Sequence, residues 1–207
     1  PPTLPFVGFG VALFDFDNDG ALDIGITNGH VIDNTGVFRP GSTYAQRKLL
    51  LHANRNGFFY VLDRTDGKLL LAKPFVKKLT WASGIDAKGR PVMLPGQEPT
   101  EKGNRACPSL EGASNWFSTA FNPASRVYYV QTLEACSMYT KSEKEWKAGE
   151  GYFGGSYAAV PGEPRQKVLR AISVDDGKIL WEVPQNGNGA SWGGVLYTAG
   201  GVIFYCD

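Results

Sequence analysis

The stretch that most constrains the fold is residues 50–72, LLHANRNGFFYVLDRTDGKLLLA. Leu49–Leu51 is a short apolar run of the length a buried strand needs. His52–Gly57 interrupts it with polar residues and a glycine, and Phe58–Leu62 opens a second run rich in strand formers. Asp63–Gly67 is a turn, because Asp and Thr bond nearby backbone and glycine accepts a positive φ. Lys68–Leu71 then leads out as a third strand. The same form returns downstream, where Tyr60–Lys68 aligns with Ala171–Lys178 around Asp175-Asp176-Gly177. Gly67 and Gly177 stand 110 residues apart, which reads as two sheet repeats plus an insertion. Trp181 lies four residues after Gly177, and Leu71 takes that place in the first copy.

The rest of the chain fits an all-β reading. Twenty-six glycines, 13 prolines and 13% aromatic residues imply many short strands and turns. Strands are expected at Pro91–Leu94, at Trp116–Phe121 and Val127–Thr132 around an Asn122–Arg126 turn, and at Val168–Val174 and Lys178–Trp181. Lys141–Glu150 alternates charges and reads as a solvated loop anchored by Trp146. With 207 residues the chain fills one large or two small domains. A net charge of +1, without a long run of either sign, gives no footprint for nucleic acid or an anionic membrane. No apolar run approaches the ~18 residues of a spanning helix. The opening PPTLPF and the closing Cys206-Asp207 read as the ends of a fragment, so missing targeting signals carry no information. Cys107 and Cys136 flank a strand pair; a disulfide and two buried thiols both fit that placement.

The first 49 residues differ in kind. VALFDFDNDGALDIGITNGHV sets Asp15, Asp17, Asp19 and Asp23 at positions one, three, five and nine of a loop, with Gly20 at the bend. Hard Ca²⁺ takes six to eight oxygens, and carboxylates at this spacing converge, with the Ala21 carbonyl as the seventh-position ligand. Position twelve is Ile26 rather than Glu, which argues against an EF-hand. An acidic turn without metal is the alternative, but four carboxylates at this spacing repel one another. With strands at Val11–Phe14 and Leu22–Thr27, the segment resembles an FG-GAP/VCBS repeat of the integrin-α type. The trailing NGHV…YAQRKLL resembles secreted proteins that carry such repeats with an ASPIC/UnbV domain. The expected division is therefore 1–49 and 50–207, meeting near Gln46–Leu51 without the Gly/Ser/Pro-rich linker of a designed two-domain chain.

From residue 50 onward, HANRNGFFYVLDRTDGKLL, CPSLEGASNW and SWGG resemble the PQQ-dependent quinoprotein methanol/ethanol dehydrogenases, over about three quarters of the chain. That resemblance implies an incomplete β-propeller, preceded here by the calcium-loop hairpin, with PQQ and Ca²⁺ as cofactors. It implies that Arg55 donates to a quinone oxygen, where a fixed guanidinium stabilises the charge that reduction creates. Taken alone, Arg55 could equally bond a turn. Asn115 and Trp116 match the family's asparagine and aromatic at the PQQ edge. Trp192 matches a tryptophan beside the ring, with Gly193-Gly194 allowing close backbone approach. The family also implies a Cys107–Cys136 disulfide, a periplasmic or secreted location, a primary alcohol as substrate and a cytochrome c as electron acceptor. Trp181 would be a docking tryptophan buried between blades, and open blade edges would favour pairing. The family's catalytic aspartate and active-site metal ligands precede the NRNG hairpin, where this chain carries the other segment. No catalytic residue is assigned, and the chain alone is expected to be inactive. A non-catalytic secreted calcium-binding propeller module and an inactive chimera are the alternatives.

Overall fold

The computed structural model describes residues 8–14, 23–28, 48–187 and 193–205, the first two stretches by their backbone alone. All regular structure in these residues is β. Strands β1 (Gly8–Phe14) and β2 (Asp23–Asn28) pair antiparallel, with Phe14 opposite Asp23. Strands therefore flank the acidic loop as expected. Asp15, Asp17, Asp19 and Ala21 lie outside the described residues, as do His30, Trp192 and Cys206.

Strands β3 (Leu49–Ala53), β4 (Phe58–Asp63) and β5 (Leu69–Pro74) form the first larger sheet. The chain then makes a hairpin, β6 (Ala82–Ile85) and β7 (Pro91–Met93), and a short strand β8 (Asn104–Ala106). A four-stranded sheet follows, built from β9 (Ala120–Asn122) and β10 (Val127–Glu134). Between β10 and the next strand of that sheet, β11 (Ser137–Lys141) and β12 (Gly155–Ala159) leave to pair with β8. The chain returns as β13 (Gln166–Ser173) and β14 (Ile179–Pro184), completing the order β14-β13-β10-β9. A final hairpin joins β15 (Val195–Tyr197) and β16 (Ile203–Tyr205).

The two DG turns are built alike. Gly67 N donates to Asp63 O and Gly177 N to Ser173 O, at 2.8 and 2.9 Å. Asp66 and Asp176 each accept from the lysine N–H two residues on. Both hairpins carry a bulge at the same place, between Val61 and Leu62 and between Ala171 and Ile172. The structural register pairs Val61 with Ala171, one residue from where the sequence alignment begins.

Packing corrects the spacing argument. Leu51, Phe59 and Val61 of the first sheet bury against Tyr128, Val130, Ile172 and Val174 of the second. Phe59 and Tyr128 stand 5.0 Å apart between ring centroids. The sheets are immediate neighbours, so the interval between the turn glycines is one step lengthened by two excursions, not two repeats. The opposite face of the second sheet, Val127, Tyr129, Leu169 and Ala171, packs on Val195, Tyr197 and Ile203. Every residue of β10 is consequently buried, and full burial pushes the Tyr128 phenol up to about 12.

Other expectations change as well. The strand expected at Trp116–Phe121 is regular only from Ala120, and Pro91–Met93 is half of a hairpin. Trp181 contacts Tyr129 at 5.8 Å but stays 39% exposed, because β14 is the outer strand of its sheet. Trp146, expected as an anchor, is 66% exposed, in a loop whose ends meet through Ser142 N and Gly154 O.

The first excursion is fastened by a buried ion pair. Arg170 Nη1 lies 2.6 Å from Glu134 Oε1 and donates to Phe75 O at 2.7 Å. The Glu134 carboxylate also accepts from the backbone N–H groups of Lys77 and Lys78, at 2.7 and 2.9 Å. Arg170 reaches Glu182 on β14 at 3.1 Å, and Lys77 Nζ meets the same carboxylate from outside.

Candidate cofactor-binding site

Arg55 sits at the tip of the β3–β4 turn. Asn54 Oδ1 accepts from Asn56 N, and Asn56 Oδ1 accepts from Phe58 N, both at 3.0 Å. The Trp81 indole N–H donates to Asn56 O from the first excursion at 2.9 Å. The two asparagines of NRNG thus hold the turn while Arg55 projects from it, exposed.

Facing this tip is the loop 107–116, CPSLEGASNW. It is tied at its start by a Cys107–Cys136 disulfide and by Cys107 N donating to Thr80 Oγ1 at 3.0 Å. Leu110 N donates to Ser137 Oγ at 3.3 Å, and Leu133 N to Ala113 O at 2.8 Å. Three contacts join loop and tip. Ala113 N donates to Arg55 O at 2.9 Å, Arg55 Nη2 donates to Leu110 O, and the Arg55 stem lies against Gly112. Burial pushes the Tyr139 phenol up, against a hydrogen bond with Ser137 and the charge of Arg55, so the guanidinium is within electrostatic reach of β11.

The same loop carries the other candidates. Asn115 is half-buried; its Nδ2 donates to Glu111 O at 2.9 Å and its Oδ1 accepts from Trp116 N at 3.0 Å. A carboxamide has two N–H donors and two acceptor lone pairs, so each end keeps capacity for a ligand. Trp116 is 46% exposed, with its ring 5.8 Å from Phe117. Asn115 and Trp116 therefore sit on the loop that Arg55 contacts through Leu110, Gly112 and Ala113. Trp192 lies outside the described residues.

Gly194, two residues after Trp192, makes a close approach to another segment of the chain. A Cβ on Gly194 would fall 2.7 Å from Ser118 Cβ, and Val195 N donates to Ser118 O at 2.9 Å. The close approach described at Gly194 is to the Ser118 segment. Sequence reasoning also passed over Gly112 and the Leu110 carbonyl, although both lie inside the quoted motif.

Chemically, the cluster offers a fixed positive charge, a neutral amide and a partly open indole. That set suits a planar, anionic, carbonyl-rich molecule. Among the described residues no group of three or more His, Cys, Asp or Glu is placed to hold a metal ion, and no helix is long and apolar enough to cross a membrane.

No family model matches the chain. It is 40% identical over 169 residues to a quinoprotein ethanol dehydrogenase of Pseudomonas putida, covering 77% of this chain and 27% of that protein. It is 29% identical over 205 residues to the putative dehydrogenase XoxF of Paracoccus denitrificans, covering 92% of this chain and 32% of the relative. A europium-containing methanol dehydrogenase structure superposes with a TM-score of 0.69 at 31% identity, over 84% of this chain and 30% of that one. The chain thus spans between a quarter and a third of the length of these relatives, and its two larger packed sheets belong to an open, incomplete β-propeller. In sequence and in fold, the relatives of this chain are the quinoprotein alcohol and methanol dehydrogenases.

Proposed function

We propose that this chain is part of a PQQ-dependent dehydrogenase of primary alcohols and supplies one wall of the cofactor pocket. The observation that carries the reading is that Arg55 bonds the disulfide-tied loop that bears Asn115 and Trp116, in a chain whose homologues are quinoproteins. Those homologues imply PQQ and a metal ion as cofactors. PQQ, when bound, accepts the electrons of the alcohol. Arg55 would hold negative charge at a ring oxygen, Asn115 would donate to a carbonyl or carboxylate, and Trp116 and Trp192 would flank the ring plane. None of the four takes a proton from an alcohol at neutral pH, so this chain alone binds and orients but does not turn over. A small alcohol, a cytochrome c acceptor and a periplasmic or secreted location follow from the same reading.

The division at residue 49 is part of the proposal. In it the β1–β2 hairpin presents Asp15, Asp17, Asp19, Ala21 and Asp23 to one Ca²⁺, as an FG-GAP/VCBS-like segment. The pairing of Phe14 with Asp23 across the acidic loop favours this, and it also favours a second reading, a secreted calcium-binding module without catalysis.

The test is a PQQ titration of the purified chain, followed by quenching of tryptophan fluorescence, with a dye-linked ethanol assay alongside. Saturable binding weakened by Arg55→Ala, without turnover, is the expected result. Absence of PQQ binding would overturn the quinoprotein reading, and turnover lost on Arg55→Ala would overturn the claim of inactivity.

A further inference from the structure

The Arg55 guanidinium is exposed, and a long exposed side chain ordinarily samples many rotamers. Here it has a built support. Its backbone is held by Ala113 N at 2.9 Å and by the paired ends of β3 and β4, where Ala53 stands opposite Phe59. Its Nη2 donates to the carbonyl of Leu110. Between these two attachments runs Gly112, with φ at +84°. A Cβ there would fall 2.7 Å from Arg55 Cβ, 2.9 Å from Arg55 Cγ and 2.9 Å from Ser114 O.

Neither side has room to yield. Arg55 Cβ is fixed by its own backbone, so a rotamer change removes the Cγ conflict but not the nearer one. The loop is held before Gly112 by the Cys107–Cys136 bridge and by Leu110 N on Ser137 Oγ, and after it by Leu133 N on Ala113 O. A side chain at position 112 therefore has to open the loop away from the turn, and the Leu110 carbonyl leaves the guanidinium.

We propose that Gly112 is a positioning residue for Arg55: the space left by its missing side chain seats the arginine stem, and the Leu110 carbonyl sets the direction of the guanidinium. Its relevance to the cofactor rests on the quinoprotein reading above; the positioning itself does not. An arginine held this way meets a ligand carbonyl or carboxylate already oriented, which lowers the ordering cost of binding.

The test uses the full chain and two readouts. The first is the signal of the Arg55 Nη–H group that meets Leu110 O, in ¹⁵N-resolved NMR, assigned by its loss in Arg55→Lys. Wild type should show a dispersed signal with slowed hydrogen exchange. Gly112→Asn, in a residue type that tolerates positive φ, and Gly112→Ala should both return it to the position and exchange rate of a free arginine. Gly67→Ala is the control for backbone strain alone, since Gly67 has φ +75° and no described atom within 4 Å of an added Cβ; it should leave the Arg55 signal unmoved. A free-arginine signal in wild type overturns the proposal without any variant having to fold, and so does an unchanged signal in Gly112→Asn.

The second readout is the PQQ titration. A charge-assisted contact of this kind predicts a roughly 10- to 100-fold loss of affinity for Arg55→Ala. Gly112→Asn should lose about ten-fold, and the double variant should be no weaker than Arg55→Ala. Full additivity overturns the positioning role. Loss of the Arg55 signal in the Gly112 variants, with no PQQ binding even by wild type, leaves the positioning intact and sinks the functional reading instead.

Discussion

Replacing Glu134 by alanine removes the group on which the first excursion hangs. Glu134 and Arg170 are 4% and 0% exposed, and their charged atoms are 2.6 Å apart. Breaking a buried pair by deleting one member costs about 3–5 kcal/mol, because the remaining charge stays out of water without its partner. Arg170 keeps Glu182 at 3.1 Å, which places the electrostatic part near the lower end. Glu134→Ala also takes the acceptor from Lys77 N and Lys78 N; both sit at a rim where water reaches, which adds about 1 kcal/mol rather than the full cost of two buried donors. The expected loss is about 3–4 kcal/mol, read from urea denaturation followed by far-UV circular dichroism. Glu134→Met combined with Arg170→Met should lose less than Glu134→Ala alone, since the double change leaves no charge stranded. A loss below about 1 kcal/mol for Glu134→Ala, or a double variant that costs the sum of its parts, would refute the reasoning.

The Cys107–Cys136 bridge closes 29 residues, so Cys107→Ala with Cys136→Ala should lower stability by about 3–4 kcal/mol in the same assay. Thiol titration of the denatured, unreduced wild type should find one reactive group among the three cysteines; three would exclude the bridge. Hydrogen bonds from Lys178 and then Ser173 hold the Asp176 carboxyl at about 2, below its ordinary 3.8. Because the folded value is the lower one, the stability it contributes is complete above 3.8 and disappears as pH falls through about 2. An NMR titration should show that midpoint, rising toward 3.8 in Lys178→Ala; no rise would remove the lysine as cause. Calorimetry should find one Ca²⁺ site of ~10⁻⁴–10⁻³ M affinity that Asp19→Ala abolishes, and an unchanged heat in that variant would dismiss the N-terminal loop as the site.

What the sequence discloses about this fold is what is local. The DG turns, their flanking strands and the β1–β2 pairing depend on residues a few positions apart, and all are present. The step from the first sheet to the second is not local. Its 110 residues contain two excursions, and only the burial of Leu51, Phe59 and Val61 on Tyr128 and Ile172 reveals that the sheets touch. Trp181 shows the limit of a motif: spacing put it on the correct face, over Tyr129, but could not tell that β14 is the outer strand. The site divides in the same way. Arg55, Asn115 and Trp116 could be named as candidates because NRNG and GASNW resemble quinoprotein motifs. Gly112 was not, because a loop glycine suggests a backbone angle and does not say which neighbour occupies its empty side.

The matched bulges bear on how the chain tolerates changes of length. In a regular ladder, losing one residue turns every later side chain to the opposite face. At the second bulge, Ile172 pairs with Ile179 and Ala171 with Trp181, so Leu180 is the extra residue, and it is 53% exposed. Deleting Leu180 would close the ladder and leave Ile179 and Trp181 on their present faces. A deletion within β13, which pairs without irregularity to β10, would invert the segment that fills both cores. Across two strands of one hairpin, neighbouring single-residue deletions therefore differ in kind: one removes slack, and the other exchanges inside for outside.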